Sequence, residues 1–530
     1  MKHPAASVVA LILVVAGAAA IRIVRLDNRP MHTDEAVHAF KFADLLENGN
    51  YVYDPHEYHG PTLNYMTVPV VRADGGDCLA QTTETHLRLV PAICGILMIA
   101  GLWLIRDAIG RGAMLCAAVL CAASPAMIFY SRYYIQEMLL VCFTFFAIAA
   151  LWRCAAGWHT MLRLLWLAIA GVCAGLMHAT KETCVIAFFS ITVAGACVAV
   201  WSLIQGNGWT RRKIGFLAVG GAVALVFAAA VSVTLFSALF TQWSGPWDSI
   251  ATYGDYLTRA GGEGSAGDHS YRWCHYLRIV GWWRVGDGIV WTEAFVLALA
   301  AVGLVAGLIG RGCGKASIPF VRFLCVYTVA MTAVYSAITY KTPWCLLGFL
   351  HGMILLAGVG AMVLLRMARP TAVKAAVALA LIAGAGHLGW QGWRGSFPKC
   401  ADPGNPYVYA HATHDVPKLA GLIRDITEVH PDKKDTLVQL VCPDNHPWPF
   451  PWYLRDFTML DWYGQAANPP ILIQPKDVMP LKLLRLPVTY KRVDPDESRD
   501  YWELRPNVWL EVRVEPDLWR KYQATKAADK

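Results

Sequence analysis

A polytopic α-helical membrane protein with a small α/β soluble domain at its C-terminal end is the fold class the sequence predicts, and three observations predict it. Of 530 residues, 56% are hydrophobic and only 16% charged, where soluble domains carry about 25% charged residues. Apolar runs long enough to cross a bilayer recur as far as Trp390 and then stop. Beyond that point amphipathic and alternating patterns replace them. The predicted division is residues 1–392 for the membrane part and 393–530 for the soluble part.

Taking apolar runs of roughly 15–25 residues as spans predicts about eleven transmembrane helices. They are Ala5–Val24, Leu89–Ile105, Ala113–Tyr130, Tyr134–Trp152, Leu164–Met177, Cys184–Ile204, Ile214–Phe240, Ile289–Ile309, Phe323–Tyr340, Trp344–Leu365 and Ala375–Trp390. The first, behind Met1 and Lys2, also has the outline of a signal peptide cleaved near Ala18–Ala20. The number of spans that follow favours a retained first helix.

The net charge of +8 is spread over short loops between apolar runs. It therefore reports membrane orientation and argues against a nucleic-acid partner. Arg106 and Arg111, Arg153 and Arg163, residues 211–213, residues 311–322 and residues 366–374 occupy one alternating set of loops. The positive-inside rule makes that set, and the N-terminus, cytoplasmic. The other set then lies outside: the long loops 25–88 and 241–288, residues 131–133, 178–181 and 340–343, and the tail. The predicted location is the cell membrane, multi-pass, with the C-terminal domain extracytoplasmic. The 15 cysteines include no CxxC pair and lie mostly in apolar runs, where Cys acts as a small hydrophobe. Cys400 and Cys442, both in the tail, could pair in an oxidising compartment.

The polar clusters all fall on the outer face. In the first loop, His32-Thr33-Asp34-Glu35 opens an amphipathic helix over Val37–Leu46, followed by a turn at Asn48-Gly49-Asn50 and by His59-Gly60-Pro61. The moderately apolar stretch to Val71 fits the membrane interface. In the second long loop, Gly261–Gly267 reads as a hinge or lid and lacks the spacing of a nucleotide cradle. In the tail, Val416–Thr427 predicts a helix, and Leu437–Val441, Ile471–Ile473, Val488–Arg492 and Val508–Val514 predict strands. Trp448-Pro449-Phe450-Pro451-Trp452-Tyr453 is either an interfacial aromatic segment or a packed corner.

These loops supply Asp34, Glu35 and Glu137 as carboxylates and Arg132, Lys181 and Lys341 as cations. Tyr133, His59, His178, Glu182, Tyr340 and Trp344 complete the candidate substrate-binding set. A carboxylate can take a proton from an attacking hydroxyl, and Lys or Arg can hold a departing phosphate. A lipid phosphate leaving a sugar's anomeric carbon would explain the spans. Plainer readings stand beside this one. Asp34-Glu35 is equally a solvated helix start, and Lys181 and Arg132 are equally interfacial anchors. Glu137, several residues inside its predicted span, points to function because a carboxylate there is costly. His32, His38, His56 and His59 match no standard metal spacing. No cofactor is assigned, and a divalent metal stays open.

Asp34-Glu35-Ala36, Tyr53-Asp54-Pro55 and Tyr58–Tyr65 together resemble the first outer loop of GT-C glycosyltransferases of the protein O-mannosyltransferase and aminoarabinose lipid A transferase group. Ser131–Met138 resembles that group's second acidic loop. Gly175–Lys181 resembles its Gly-Leu-x-x-x-Thr-Lys pattern, and Lys341-Thr342-Pro343-Trp344 its Lys-x-Pro-Trp pattern. Asn405–His411 and Trp448–Asp456 are similar to a prokaryotic flippase-activity-associated subfamily.

The resemblance covers nearly the whole chain. It implies a GT-C fold, a polyprenyl-phosphate sugar donor, a glycan, lipid or protein acceptor, and inversion at the anomeric carbon. By position it implies Asp34 as base or acceptor-site carboxylate and Glu137 as second acid, with Arg132, Lys181 and Lys341 against the donor phosphate. One departure stands out. The aminoarabinose enzymes carry Glu-Lys-Pro where this chain has His59-Gly60-Pro61, so a phosphate-contacting lysine is missing from the first loop. The subfamily also implies an alternative, a flippase of lipid-linked glycans or a non-catalytic helper of one. A third expectation has the tail gripping the acceptor.

Overall fold

The computed structural model describes residues 4–56, 59–206, 210–260, 270–442, 446–462, 469–476, 491–492 and 501–528. In chain order the helices of the first part are α1 (Pro4–Ile23), α2 (Thr33–Asn48), α3 (Thr62–Ala73), α4 (Glu84–Gly101), α5 (Arg111–Ala123), α6 (Pro125–Ser131), α7 (Glu137–Ala156) and α8 (Thr160–His178). Then come α9 (Cys184–Ile204), α10 (Arg211–Phe236), α11 (Gly245–Ala260), α12 (His275–Gly281), α13 (Ala294–Ile309), α14 (Ile318–Ala337), α15 (Leu347–Met367) and α16 (Thr371–Ser396). Among the described residues nine helices are long and apolar enough to cross a membrane, and α5 with α6 makes a tenth if the pair is one span bent by 61°. This is a multi-pass membrane protein.

Three spans depart from expectation, each for a local reason. Ala113–Tyr130 is broken at Ser124-Pro125. Proline has no N–H to donate and disfavours helical backbone at the residue before it, and Ser124 takes ψ 123° and caps α6 instead. Ile289–Ile309 is shortened to Ala294–Ile309, because Trp283 and Trp291 exchange backbone hydrogen bonds at 2.9 and 2.8 Å and hold the preceding residues in a turn. Tyr134–Trp152 starts only at Glu137: the Ile135 N–H bonds the Tyr133 carbonyl at 2.8 Å and the Tyr134 N–H is drawn to Glu35 at 2.9 Å. Glu137 is thus at the first turn of α7, not inside a span.

The bundle is tightest where α13 meets α15. A Cβ on Gly303 would lie 2.0 Å from the Leu356 carbonyl oxygen, and one on Gly360 would lie 2.0 Å from that of Leu299. Only glycine lets two helix backbones approach so closely, the usual device where lipid offers no hydrophobic drive to association.

The tail holds α17 (Asp415–Thr427), β1 (Val438–Leu440), the short α18 (Phe450–Tyr453), β2 (Leu460–Asp461), β3 (Ile471–Pro475), β4 (Lys491–Arg492), β5 (Trp502–Arg505), β6 (Val508–Val514) and α19 (Pro516–Ala528). Its sheet runs β2-β1-β3-β6-β4, with β5 also on β6. β1 is parallel to β2 and β3, and β6 is antiparallel to β3, β4 and β5. Val416, Leu419, Ala420, Ile423 and Ile426 form the buried stripe of α17, at the spacing of one helix face. β5 was not expected from the sequence. Of the predicted strand Val488–Arg492, only Lys491–Arg492 is described, and the Gly261–Gly267 hinge lies outside the described residues.

Two tail expectations resolve. The aromatic run is a packed corner: Phe450, Pro451, Trp452 and Tyr453 are buried. Trp452 Nε1 donates to Glu84 at 2.7 Å, and the Met31 N–H donates to the Tyr453 hydroxyl at 2.8 Å. Cys400 and Cys442 are both free and buried. Cys400 sits 3.5 Å from the Asn28 amide at the foot of α16, and Cys442 follows β1.

Candidate active site

The site starts at the N-terminus of α2. His32 Nδ1 accepts the Asp34 N–H at 3.0 Å and the Glu35 carboxylate accepts the His32 N–H at 3.0 Å, a reciprocal capping box. The cap starts the helix at Thr33, ahead of the amphipathic pattern. Successive helical residues point about 100° apart, so the neighbouring carboxylates part company. Asp34 projects outward with its side chain 41% exposed, and His32 Nδ1 lies 3.7 Å from its oxygen. Glu35 turns inward and is fully buried.

Glu35 is wholly engaged there. It accepts from Arg29 at 2.8 Å, from Arg88 Nε and Nη2 at 2.8 Å each, and from the Tyr134 N–H at 2.9 Å. Burial alone would raise its pKa, but Arg29, Arg88 and these hydrogen bonds outweigh it and hold the carboxyl at about 2. Expected as a catalytic acid beside Asp34, Glu35 is instead the centre of an ionic knot joining the first loop, α4 and the α6–α7 turn.

Around Asp34 the loops converge. His38, one turn further along α2, is buried, with its ring 6.2 Å from that of His59 and its Nε2 3.3 Å from the Gln136 amide nitrogen. Burial above all pulls its pKa down to about 3; His59 and Lys181 push the same way and Asp34 opposes them. Asp34 and Lys181 thus both act on one imidazole. His59 Nδ1 lies 2.7 Å from Glu182, which also accepts from the Tyr53 hydroxyl at 3.3 Å. Burial works against the Glu182 charge, yet His59, a backbone N–H and Lys181 keep its pKa at about 2. Lys181 pairs with Glu137 Oε1, while buried Glu137 Oε2 has no hydrogen-bond partner.

The first loop is pressed onto the turn after α8. The Thr62 N–H and hydroxyl both donate to the Ala179 carbonyl, at 3.0 and 2.7 Å. A Cβ on Gly60 would lie only 2.2 Å from that oxygen. Below, Glu137 borders a narrow cavity of about 20 Å³, room for little more than one water, among α7, α9, α14 and α15. Leu140, Val141, Ala187, Met331 and Leu347 give it an apolar wall, with Thr183 and Trp344 beside Glu137.

Other expected residues lie elsewhere. Arg132 does not face the cavity: it donates to the carbonyls of Ile21, Arg22, Val24 and Arg25 at 2.7–3.1 Å and closes the end of α1. Lys341 likewise caps α14 through the carbonyls of Tyr335, Ser336 and Ile338. Free carbonyls at a helix end attract cations, which explains both placements. Arg132→Ala is accordingly expected to lower the thermal unfolding temperature while leaving the affinity for a lipid phosphate within about twofold, the scatter of a change outside the site. Tyr340 is 40% exposed in a bridge to Ser270. His178 turns to α10, with Nδ1 2.8 Å from the Ser232 hydroxyl. Tyr133 and Trp344 are near the site, in ring contact with His32 at 5.4 and 5.9 Å.

The sequence reading missed Arg29 and Arg88 as partners of Glu35, and His38 as a site residue. A signal was present: Arg29 and Arg88 bound the long loop that the positive-inside rule predicts to be the less basic side, where arginines stand out. Among the described residues no three His, Cys, Asp or Glu side chains converge to hold a metal ion.

The tail locks onto this assembly. Arg455 donates to the Leu79 and Thr82 carbonyls at 3.1 and 2.7 Å. Buried Glu293 takes the Ser124 hydroxyl at 2.6 Å, the Ala126 N–H at 2.9 Å and the Tyr407 hydroxyl at 2.8 Å. It thereby ties the tail to the break between α5 and α6, where a carboxylate meets the open N-terminus of α6.

Comparison with known proteins gives three findings. The profile of the dolichyl-phosphate-mannose-protein mannosyltransferase family matches residues 73–233, under a third of the chain. No curated protein matches. Solved structures match in fold: ArnT from Cupriavidus metallidurans bound to undecaprenyl phosphate has a TM-score of 0.62 at 16% identity, over 96% of this chain and 98% of that one. The oligosaccharyltransferase AglB from Archaeoglobus fulgidus, in complex with an inhibitory peptide and a dolichol-phosphate, has a TM-score of 0.58 at 12% identity, over 88% and 69%. The Archaeoglobus fulgidus oligosaccharyltransferase tethered with an acceptor peptide has a TM-score of 0.56 at 13% identity, over 86% and 63%. The likeness to ArnT spans membrane helices and tail alike, and the fold is the GT-C fold.

Proposed function

We propose, taking the GT-C fold as the premise, that this protein is a membrane glycosyltransferase that moves a sugar from a polyprenyl-phosphate donor to an acceptor on the extracytoplasmic face. One observation carries the reading: Lys181 pairs with Glu137 at the edge of an apolar cavity, and Asp34, distant in sequence, acts together with Lys181 on the buried His38 ring. The apolar wall suits a lipid chain, which would have to widen the narrow cavity to enter, and Lys181 suits its phosphate. The undecaprenyl phosphate of ArnT and the dolichol-phosphate of AglB support a donor of that class. Fold likeness is analogy, so the weight rests on the residues.

In this reading Asp34 takes the proton of an acceptor hydroxyl as its oxygen attacks the anomeric carbon. The bond from that carbon to the phosphate oxygen breaks on the opposite face, which inverts the centre. The charge left on the lipid phosphate is met by Lys181. Glu137 holds Lys181 in place until the phosphate arrives. The basic loops face the cytoplasm and residues 393–530 form the extracytoplasmic domain.

Mass spectrometry of lipid-linked and surface glycans, in cells with and without the protein, tests the reading. A sugar missing from one glycan without the protein is the expected result, and identical profiles would refute it. A second measurement concerns Lys181 alone. The double variant Lys181→Met with Glu137→Gln, which leaves no unpaired charge, should bind polyprenyl phosphate about 10- to 100-fold more weakly, the worth of a hydrogen bond to a charged group.

A further inference from the structure

Three rings from distant parts of the chain meet beside Asp34: His32 of the first loop, Tyr133 of the α6–α7 turn and His411 of the tail. Their centroids lie 4.9 Å (His32–His411), 5.4 Å (His32–Tyr133) and 5.4 Å (Tyr133–His411) apart. Trp344, on the cavity wall, lies 5.9 Å from His32 and 5.8 Å from Tyr133.

Two of the three carry a buried polar atom without a hydrogen-bond partner, the Tyr133 hydroxyl and His411 Nε2, while His32 is drawn to the Tyr409 backbone. His32, Tyr133 and His411 are 3%, 0% and 1% exposed. Buried polar atoms are nearly always bonded, so two orphans in one group demand a reason. His32 Nδ1 accepts the Asp34 N–H, so the hydrogen of the neutral ring sits on Nε2, which is a donor. The Tyr133 hydroxyl can donate and accept. His411 Nδ1 is held by the Tyr409 backbone at 2.9 Å, which leaves Nε2 for a partner. Burial, first among the influences, lowers the pKa of both histidines, so both rings are neutral at pH 7.

One nearby cation is already paired. Arg29 lies 4.3 Å over the Tyr133 ring but is paired with Glu35. Neutral donors and acceptors edged by aromatic faces suit a hydroxylated ring: its hydroxyls bond the polar atoms and its C–H face lies on the aromatics. The tail also holds a strained backbone at this point. Ala410 takes φ 47°, a left-handed conformation costly for a residue with a Cβ and characteristic of functional sites.

We infer that His32, Tyr133, His411 and Trp344 form the subsite for the sugar ring of the lipid-linked donor, with the tail supplying one wall; this rests on the transferase reading above. Without ligand the rings pack on each other, and the sugar replaces those contacts with hydrogen bonds to the Tyr133 hydroxyl and His411 Nε2. His411 is a binding residue in this arrangement, and the tail is part of the site.

The test is binding to the purified full chain in nanodiscs, read by native mass spectrometry. The probes are bare dolichyl phosphate and dolichyl phosphate bearing mannose, glucose or aminoarabinose. The wild type should prefer at least one glycosylated lipid over the bare one. Tyr133→Phe and His411→Phe should each cut that preference about five- to tenfold, the loss of one neutral hydrogen bond, with bare-lipid affinity unchanged. His411→Asn, which restores a donor and an acceptor, should recover part of it. An unchanged preference in both Phe variants would mean that water alone satisfies these atoms and would overturn the inference. So would a wild type with no preference for any of the sugars. Failure of the wild type to bind even the bare lipid is a different result: it removes the transferase reading itself.

Discussion

Asp34→Asn is expected to lower sugar transfer by about 100- to 10,000-fold, the range for losing a general base, with no loss of thermal stability. The amide has the shape of the carboxylate but cannot take a proton. The cap on α2 uses the backbone N–H of Asp34, not its side chain, and survives the change. The measurement is the initial rate of transfer from a polyprenyl-phosphate sugar in nanodiscs, beside an unfolding curve of the same sample. Full activity in the variant would remove Asp34 from the mechanism. A parallel fall in activity and stability would assign it a structural part.

Arg88→Leu has the largest expected effect on the fold. It breaks two charge-assisted hydrogen bonds to the buried Glu35 carboxylate and those to the Leu26 and Arg29 carbonyls, and removing one partner of a buried ion pair typically costs about 3–5 kcal/mol. The midpoint of denaturant unfolding should fall accordingly, and Glu35→Leu should lower it at least as far, since both Arg29 and Arg88 then stay buried without their carboxylate. The knot also sets an acid limit. The folded Glu35 pKa of about 2 lies below its ordinary 4.5, so the carboxylate's contribution is complete above the ordinary value. It fades as pH falls from there through the folded value. In Arg88→Leu the folded pKa rises toward the ordinary value, so the carboxylate contributes less and the midpoint of acid unfolding should move to higher pH. Coincident acid-unfolding curves for wild type and variant would refute the assignment.

The spans were legible because hydropathy reports them directly. Eleven apolar runs correspond to apolar helices, and the errors sit where a local hydrogen bond or a proline outweighs composition. Ser124-Pro125 breaks one run, and the Trp283–Trp291 bridge delays another. Asp34, Lys181 and Glu137 were picked out in the sequence as ionisable residues near span ends, but together with Glu35, Arg132 and Lys341. What each cation does was not legible. Lys341 and Arg132 carry the same charge as Lys181, yet they close helix ends, and only the fold decides which carbonyls lie within reach. The partition of the Asp34-Glu35 pair was likewise invisible. It depends on Arg88, 53 positions from Glu35, and no periodicity connects the two. His411 lay in a stretch noted for its likeness to a subfamily, but its place against His32 follows from tail docking through Arg455 and Glu293.

The contact of Gly60 with the Ala179 carbonyl has a consequence for how this chain could diverge from or return to its structural kin. A lysine at that position would drive its first side-chain carbon to 2.2 Å from a backbone oxygen, so the cation missing from the first loop cannot be regained by a single codon change. The surrounding turn would have to be rebuilt as well. In the proposed transferase the leaving phosphate would then depend on Lys181, whose charge is already shared with Glu137. A cation already paired grips a phosphate less tenaciously than a bare one, which in that reading favours quick release of the spent carrier over tight ground-state capture.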